Sequence, residues 1–292
     1  MIQPNTDFDN PWKTIIELYF HDFMSFFFPT IEAEIDWSRE ITFLDKELQK
    51  IVREGEVSKR YADKLVSVWQ VNGKQSWVLI HVEVQSQAEV MFPKRMFQYN
   101  YRLKDRYDRP VVSLAILGDE SSKWRPQDYT DSLWGCRTTF EFPIAKLLDY
   151  GNDWKALEAN PNPFAVVTMA HLKTKETHND RLKRKEWKFR LTRMLYDRGY
   201  ERQDIINLFL VIDWMMQLPD SLAREFNVEL ENFEEARKVQ YVTTIERMGI
   251  EKGIELVAMT MMAQQFSIAD IIRATGLSQE HIQALQAKRE EA

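Results

Sequence analysis

Asp63, Glu83 and Gln85 are the residues whose types and spacing suggest chemistry. They lie in the stretch 61–87, YADKLVSVWQVNGKQSWVLIHVEVQSQ, with Asp63 heading one predicted strand and Glu83-Val84-Gln85 closing the next. Side chains alternate along a strand, so Trp77, His81, Glu83 and Gln85 share one face, and Val78, Ile80, Val82 and Val84 the other. The Val/Ile face suits a core layer. A carboxylate and an amide two residues apart on the opposite face suit a binding site. Two carboxylates and the backbone carbonyl of Val84 would offer a hard divalent cation the oxygen ligands it prefers. An antiparallel hairpin whose solvent face carries acids fits the same pattern.

The turn decides whether Asp63 joins that face. A two-residue Asn72-Gly73 turn puts Asp63 opposite Val82, on the wrong face. A three-residue loop Val71-Asn72-Gly73, with Gly73 left-handed, puts it opposite His81 and diagonal to Glu83. Either loop is compatible with the sequence, and a bulge can restore parity.

The elements that must position these residues follow from periodicity. Trp12–Phe28 reads as an amphipathic helix stopped by Pro29, its stripe Trp12, Ile15, Ile16, Tyr19, Phe20 and Phe23, with Glu17 off that stripe. After the hairpin, Pro93–Asp108 reads as a helix with Phe92, Met96, Tyr99, Leu103 and Tyr107 on one side. Its flank gathers Arg95, Gln98, Arg102 and Arg106 at spacings of three and four. Val111–Leu117 is a continuous apolar run, as in a strand buried on both faces, and Thr138–Ile144 is a looser strand candidate. This order suggests an α/β core with a mixed sheet. Beyond Tyr150 the pattern is helical: Phe164–Leu172, Leu182–Arg198, Arg202–Met216 and Ala223–Met248. Residues 267–286 hold two helix starts, Ser267 and Ser278, around Gly276. That arrangement fits a helix-turn-helix or a packing hairpin.

Composition bounds the function classes. At 292 residues, 44% hydrophobic and 12% aromatic, the chain is a packed globular protein. Its single cysteine, Cys136, excludes an internal disulfide and a Cys-based zinc site; it is expected to be buried and inert, and a reducing cytoplasm fits. The start MIQPNTDFDNPW lacks the features of a signal peptide, and no apolar run reaches the roughly 18 residues of a membrane span. A net charge of −6 argues against indiscriminate coating of nucleic acid. Arg181–Arg193 nonetheless carries seven basic residues and one acid, either a phosphate-binding patch or a solvated face. There is no phosphate loop, no Gly-x-Ser-x-Gly elbow and no His-Glu-x-x-His, and the five histidines are scattered.

The Asp63…Glu83-Val84-Gln85 hairpin, the helix with RMFQYNYRLKDRY and the strand VVSLAIL together resemble the PD-(D/E)XK nuclease superfamily. Within it they resemble the recombination-promoting nuclease (Rpn) and transposase-like branch, as does the tail with Gly249-Ile-Glu-Lys-Gly253-Ile-Glu and IADIIRATGLSQEHIQAL. The resemblance implies an α-β-β-β-α-β, restriction-endonuclease-like core over residues 1–150, a mixed sheet flanked by helices. An all-helical region follows over 151–292. It implies a DNA endonuclease in which Asp63, Glu83 and the Val84 carbonyl bind magnesium, with manganese as a substitute. Gln85 stands where the superfamily usually has lysine. Arg95, Gln98 and Arg102 would contact DNA, and Glu17 is a candidate accessory acid. Cutting both strands needs two sites, so a homodimer is expected, paired through an apolar stripe such as Ile250, Ile254, Val257 and Met261. A nuclease-fold module without catalysis, for nucleic-acid binding or assembly, is the alternative.

Overall fold

A computed structural model of the chain describes residues 11–48, 62–83, 90–243, 257–264, 266–275, 277, 282 and 285–286. The chain divides into two compact units, Met1–Leu222 and Ala223–Ala292.

The described part of the first unit begins with two short helices, α1 (Pro11–Leu18) and α2 (Phe20–Phe27), and the turn α3 (Pro29–Glu32). The single helix expected here breaks at Tyr19. The backbone there leaves helical geometry, and the hydroxyl donates to Asp204 Oδ1 at 2.5 Å. Strands β1 (Thr42–Phe43), β2 (Ala62–Trp69), β3 (Gln75–Glu83), β4 (Val111–Leu117) and β7 (Ile144–Lys146) form one mixed sheet in the order β1-β2-β3-β4-β7. The first two pairings are antiparallel and the last two parallel.

Helix α4 (Phe92–Tyr107) makes the crossover between parallel β3 and β4. Its stripe matches the expected one: Phe92, Met96, Tyr99 and Leu103 are fully buried. Tyr99 and Leu103 pack with Leu65, Trp77, Leu79 and Val111, and Phe92 and Met96 with Ala115 and Leu117. Buried Asn100 donates to the Val111 carbonyl (3.0 Å) and to Ser113 Oγ (2.9 Å), pinning the helix to β4. Trp77 and Leu79 are core residues under α4, so both sheet faces are covered, not the Val/Ile face alone.

The looser strand candidate resolves into two pieces. β5 (Asp128–Leu133) and β6 (Cys136–Glu141) form a separate two-stranded ribbon, whereas Ile144–Lys146 joins the main sheet. A helical turn α5 (Leu147–Tyr150), then α6 (Trp154–Ala159), α7 (Pro163–Glu176), α8 (Arg181–Asp197) and α9 (Arg202–Met215) complete the unit. Phe164 of α7 closes an aromatic cluster with Trp12, Phe23 and Phe27, at centroid distances of 6.4, 5.3 and 5.7 Å. The phenylalanine-rich N-terminus is therefore the seam between the sheet layers and the later helices.

The second unit contains most of α10 (Asp220–Ala236) and α11 (Ile268–Thr275). Ala258, Ile271, Ile282 and Leu285 form its small core. Buried Glu234 accepts from the backbone N–H groups of Tyr241 (2.9 Å) and Val242 (2.8 Å). The 249–253 repeat, Gly276 and Ser278 of the helix-turn-helix reading, and Ile250 and Ile254 of the dimer stripe lie outside the described residues.

Candidate functional site

The loop between β2 and β3 settles the parity. Trp69 pairs with Gln75, the Gln70 N–H donates to the Lys74 carbonyl and the Gly73 N–H to the Gln70 carbonyl, both at 2.8 Å. Val71-Asn72-Gly73 is thus a three-residue loop, with Gly73 left-handed at φ +82 and the Asn72 side chain accepting from the Lys74 N–H at 3.0 Å. Asp63 stands opposite His81, which makes Glu83 its diagonal neighbour and gives both the register parity of Leu65 and Leu79. Diagonal positions on an antiparallel pair lie about 7–8 Å apart. Two carboxylates at positions so spaced would be able to reach one divalent ion. Val84 and Gln85 lie outside the described residues, and no group of three His, Cys, Asp or Glu gathers among the described residues.

The same edge of the sheet carries further polar groups. Glu83, Leu117 and Lys146 are in register on three adjacent strands. Lys146 is buried in an ion pair with Asp119, just past β4, and also donates to the Trp124 carbonyl at 3.2 Å. His171 of α7 hydrogen-bonds the Gly118 carbonyl at 2.7 Å. Burial pushes its pKa down to about 4 despite that bond, so the imidazole is neutral near pH 7 and its N–H donates. A cleft of about 430 Å³ opens here, lined by Asp119, Glu120, Trp154, His171 and Lys175 among others.

Helix α4 starts at this edge and runs away from it, since Phe92 packs on Leu117 whereas Leu103 packs near Val111. Arg95, in its first turn, is buried, with the guanidinium 5.5 Å from the Phe92 ring centroid. Gln98 is exposed and Arg102 half-buried; Arg102 sits about 10 Å further along the axis than Arg95. Only the latter two present themselves on the helix surface. Glu17 is engaged elsewhere: its carboxylate accepts from Lys64 Nζ at 2.6 Å, and Lys64 also donates to Asp45 at 2.7 Å. Position 64 has the opposite parity to 63, so this cluster belongs to the α1 side of the sheet, away from the Asp63–Glu83 register positions.

The basic run of α8 is largely consumed internally. Lys183 pairs with Glu176 (2.7 Å), Lys188 with Asp213 (2.5 Å), Arg190 with Glu158 (2.5 Å) and Arg193 with Asp197 (3.5 Å). Buried Arg184 donates to the Thr174 carbonyl at 2.8 Å. Cys136, expected to be buried, is exposed, because its strand belongs to the outlying ribbon and not to the sheet. Lys64, Asp119, Lys146 and His171 did not stand out in the sequence. The available signals were lysines interrupting apolar runs, ADKLVSVW and FPIAKLL, and an acid just after VVSLAIL. No protein-family model, curated protein or solved structure matches the chain.

Proposed function

We propose that this chain is a magnesium-dependent DNA endonuclease of the PD-(D/E)XK superfamily, in the recombination-promoting nuclease and transposase-like branch. The observation that carries the reading is the register placing Asp63 diagonal to Glu83 on the central hairpin. The element order around it, helices α1–α3, then β1, a helical stretch at 45–48, β2, β3, α4 and β4, keeps the β2-β3-α4-β4 part of the α-β-β-β-α-β plan and supports the same reading. The carboxylates of Asp63 and Glu83 and the Val84 carbonyl would hold magnesium, which when bound lowers the pKa of a coordinated water and offsets charge on the phosphate. Gln85 orients the attacking water by hydrogen bonding. It supplies neither the positive charge of a lysine nor a base, so cleavage is slow. Gln98 and Arg102 contact the DNA backbone from the exposed side of α4, and Arg95 stiffens its first turn. A homodimer brings two such sites to opposite strands.

The test is magnesium-dependent nicking of plasmid DNA. Asp63→Ala and Glu83→Ala should each abolish it while circular dichroism stays that of the wild type. A folded Glu83→Ala protein that still cuts DNA ends this reading. Glutamine in the place of lysine favours a second reading, a nuclease-fold protein that binds DNA without cutting it. Salt-dependent DNA binding with no nicking by the wild type selects that alternative.

A further inference from the structure

The ribbon β5–β6 ends in the most exposed large hydrophobic side chain among the described residues of the first unit. Leu133 pairs with Cys136, and Trp134-Gly135 form the two-residue turn between them, with φ +48 and +89. Two positive φ values define a type I′ turn, which favours Asn-Gly; a tryptophan in its first position is held in a conformation that bulky residues rarely adopt. That tryptophan is 95% exposed, and Leu133 beside it 63%. Strain and full exposure of an aromatic ring together have no folding rationale, and strained residues concentrate where function requires them.

We propose that Trp134 is a stacking wedge that receives an unpaired base of the DNA substrate. This rests on the nuclease reading above and adds a preference for DNA with disrupted pairing. The two rungs nearest the tip, Ser132–Arg137 and Leu133–Cys136, carry one charge, a cation. Hydroxyls of Ser132 and Thr139 share its face, groups suited to phosphate oxygens. The acids Asp128 and Glu141 pair at the base of the ribbon, and Asp131 stands on the face opposite Arg137. The base is seated on α4: Tyr129 stacks on Phe97 at 5.1 Å, and Phe140 packs against the same ring, tilted, at 5.8 Å. The ribbon therefore leaves the helix that presents Gln98 and Arg102. A ring at the tip of so thin a ribbon fits an opened base step. A stable protein interface needs about 800 Å² from each partner, more than one tryptophan and one leucine supply. A membrane surface calls for a broader apolar face with a basic cluster.

The experiment measures binding of the full-length protein to short labelled duplexes in EDTA, one fully paired and one with a single unpaired base. Wild type should prefer the duplex with the unpaired base. Trp134→Asn creates the favoured Asn-Gly turn, so its melting temperature should hold or rise while affinity for that duplex falls about 5- to 100-fold. Trp134→Phe should keep most of the affinity. If Trp134→Asn binds as tightly as wild type, the wedge is wrong, and magnesium-dependent nicking lost in Asp63→Ala shows that the nuclease reading survives it. A wild type that neither binds nor cuts DNA overturns both. A Trp134→Asn variant with unchanged DNA affinity but altered self-association or vesicle binding assigns the tip to another partner and overturns the wedge.

Discussion

His171 is neutral in the folded protein because burial removes the water that would solvate an imidazolium. Unfolded, it regains an ordinary pKa near 6.5, so the unfolded chain binds the proton more readily. Its contribution to stability is complete above pH 6.5 and is lost as pH falls to about 4. The full loss is about 3 kcal/mol. Urea unfolding at pH 7 and pH 4.5 should show a smaller decline for His171→Gln, which keeps a donor for the Gly118 carbonyl but does not titrate. Asp119 presents the complementary case. Asp119→Ala strands the Lys146 ammonium in the interior, where both partners are almost wholly inaccessible, and should cost about 3–5 kcal/mol. The double variant Asp119→Leu, Lys146→Met should be more stable than Asp119→Ala, as chemical denaturation would reveal. Gln85→Lys returns the charge usual in the proposed superfamily; nicking rates should be equal to or above those of wild type.

The hairpin β2–β3 shows how one loop residue governs a whole element. A one-residue change in loop length would move every β2 side chain to the other face, carrying Asp63 away from Glu83's parity and Leu65 out of the core under α4. Gly73 secures the longer loop through its positive φ, and a Cβ there would meet nothing within 4 Å. Gly73→Ala should therefore cost about 1–2 kcal/mol from backbone conformation alone, with no packing penalty, and Gly73→Asn less. Thermal unfolding of the two variants measures that difference. Of the ribbon β5–β6 only part of β6 was legible, within the loose candidate Thr138–Ile144, and β5 was not, because the ribbon's side chains are mostly exposed and so lack the apolar alternation that marks a buried strand.

At the scale of the whole molecule, the first unit runs past Tyr150 to Leu222. Phe164, Val166 and Met169 of α7 are fully buried, and ending the chain at Tyr150 would uncover Trp12, Phe23 and Phe27. A chain ending at Pro219 should fold with a melting transition close to that of the first unit in the full chain, and one ending at Tyr150 should aggregate. Light scattering of the Pro219 chain beside the full-length protein also tests the proposed homodimer. Loss of dimerisation in the shorter chain assigns it to the C-terminal unit.

Periodicity alone determined much of this protein: the α4 stripe, the strand Val111–Leu117, helices α7 to α9, and the two acids on neighbouring strands. Those signals are local, and burial on one side of a helix or strand writes them directly into residue spacing. The choice between two loops at Asn72-Gly73 was decided by tertiary structure, because both close a hairpin and only packing on α4 distinguishes their faces. The pairing of Lys64 with Glu17 and Asp45, of Lys146 with Asp119, and of the α8 cations with acids on other helices was likewise invisible. A charge carries no record of its partner in sequence, and a buried lysine is stable only once the fold delivers a carboxylate from a distant segment.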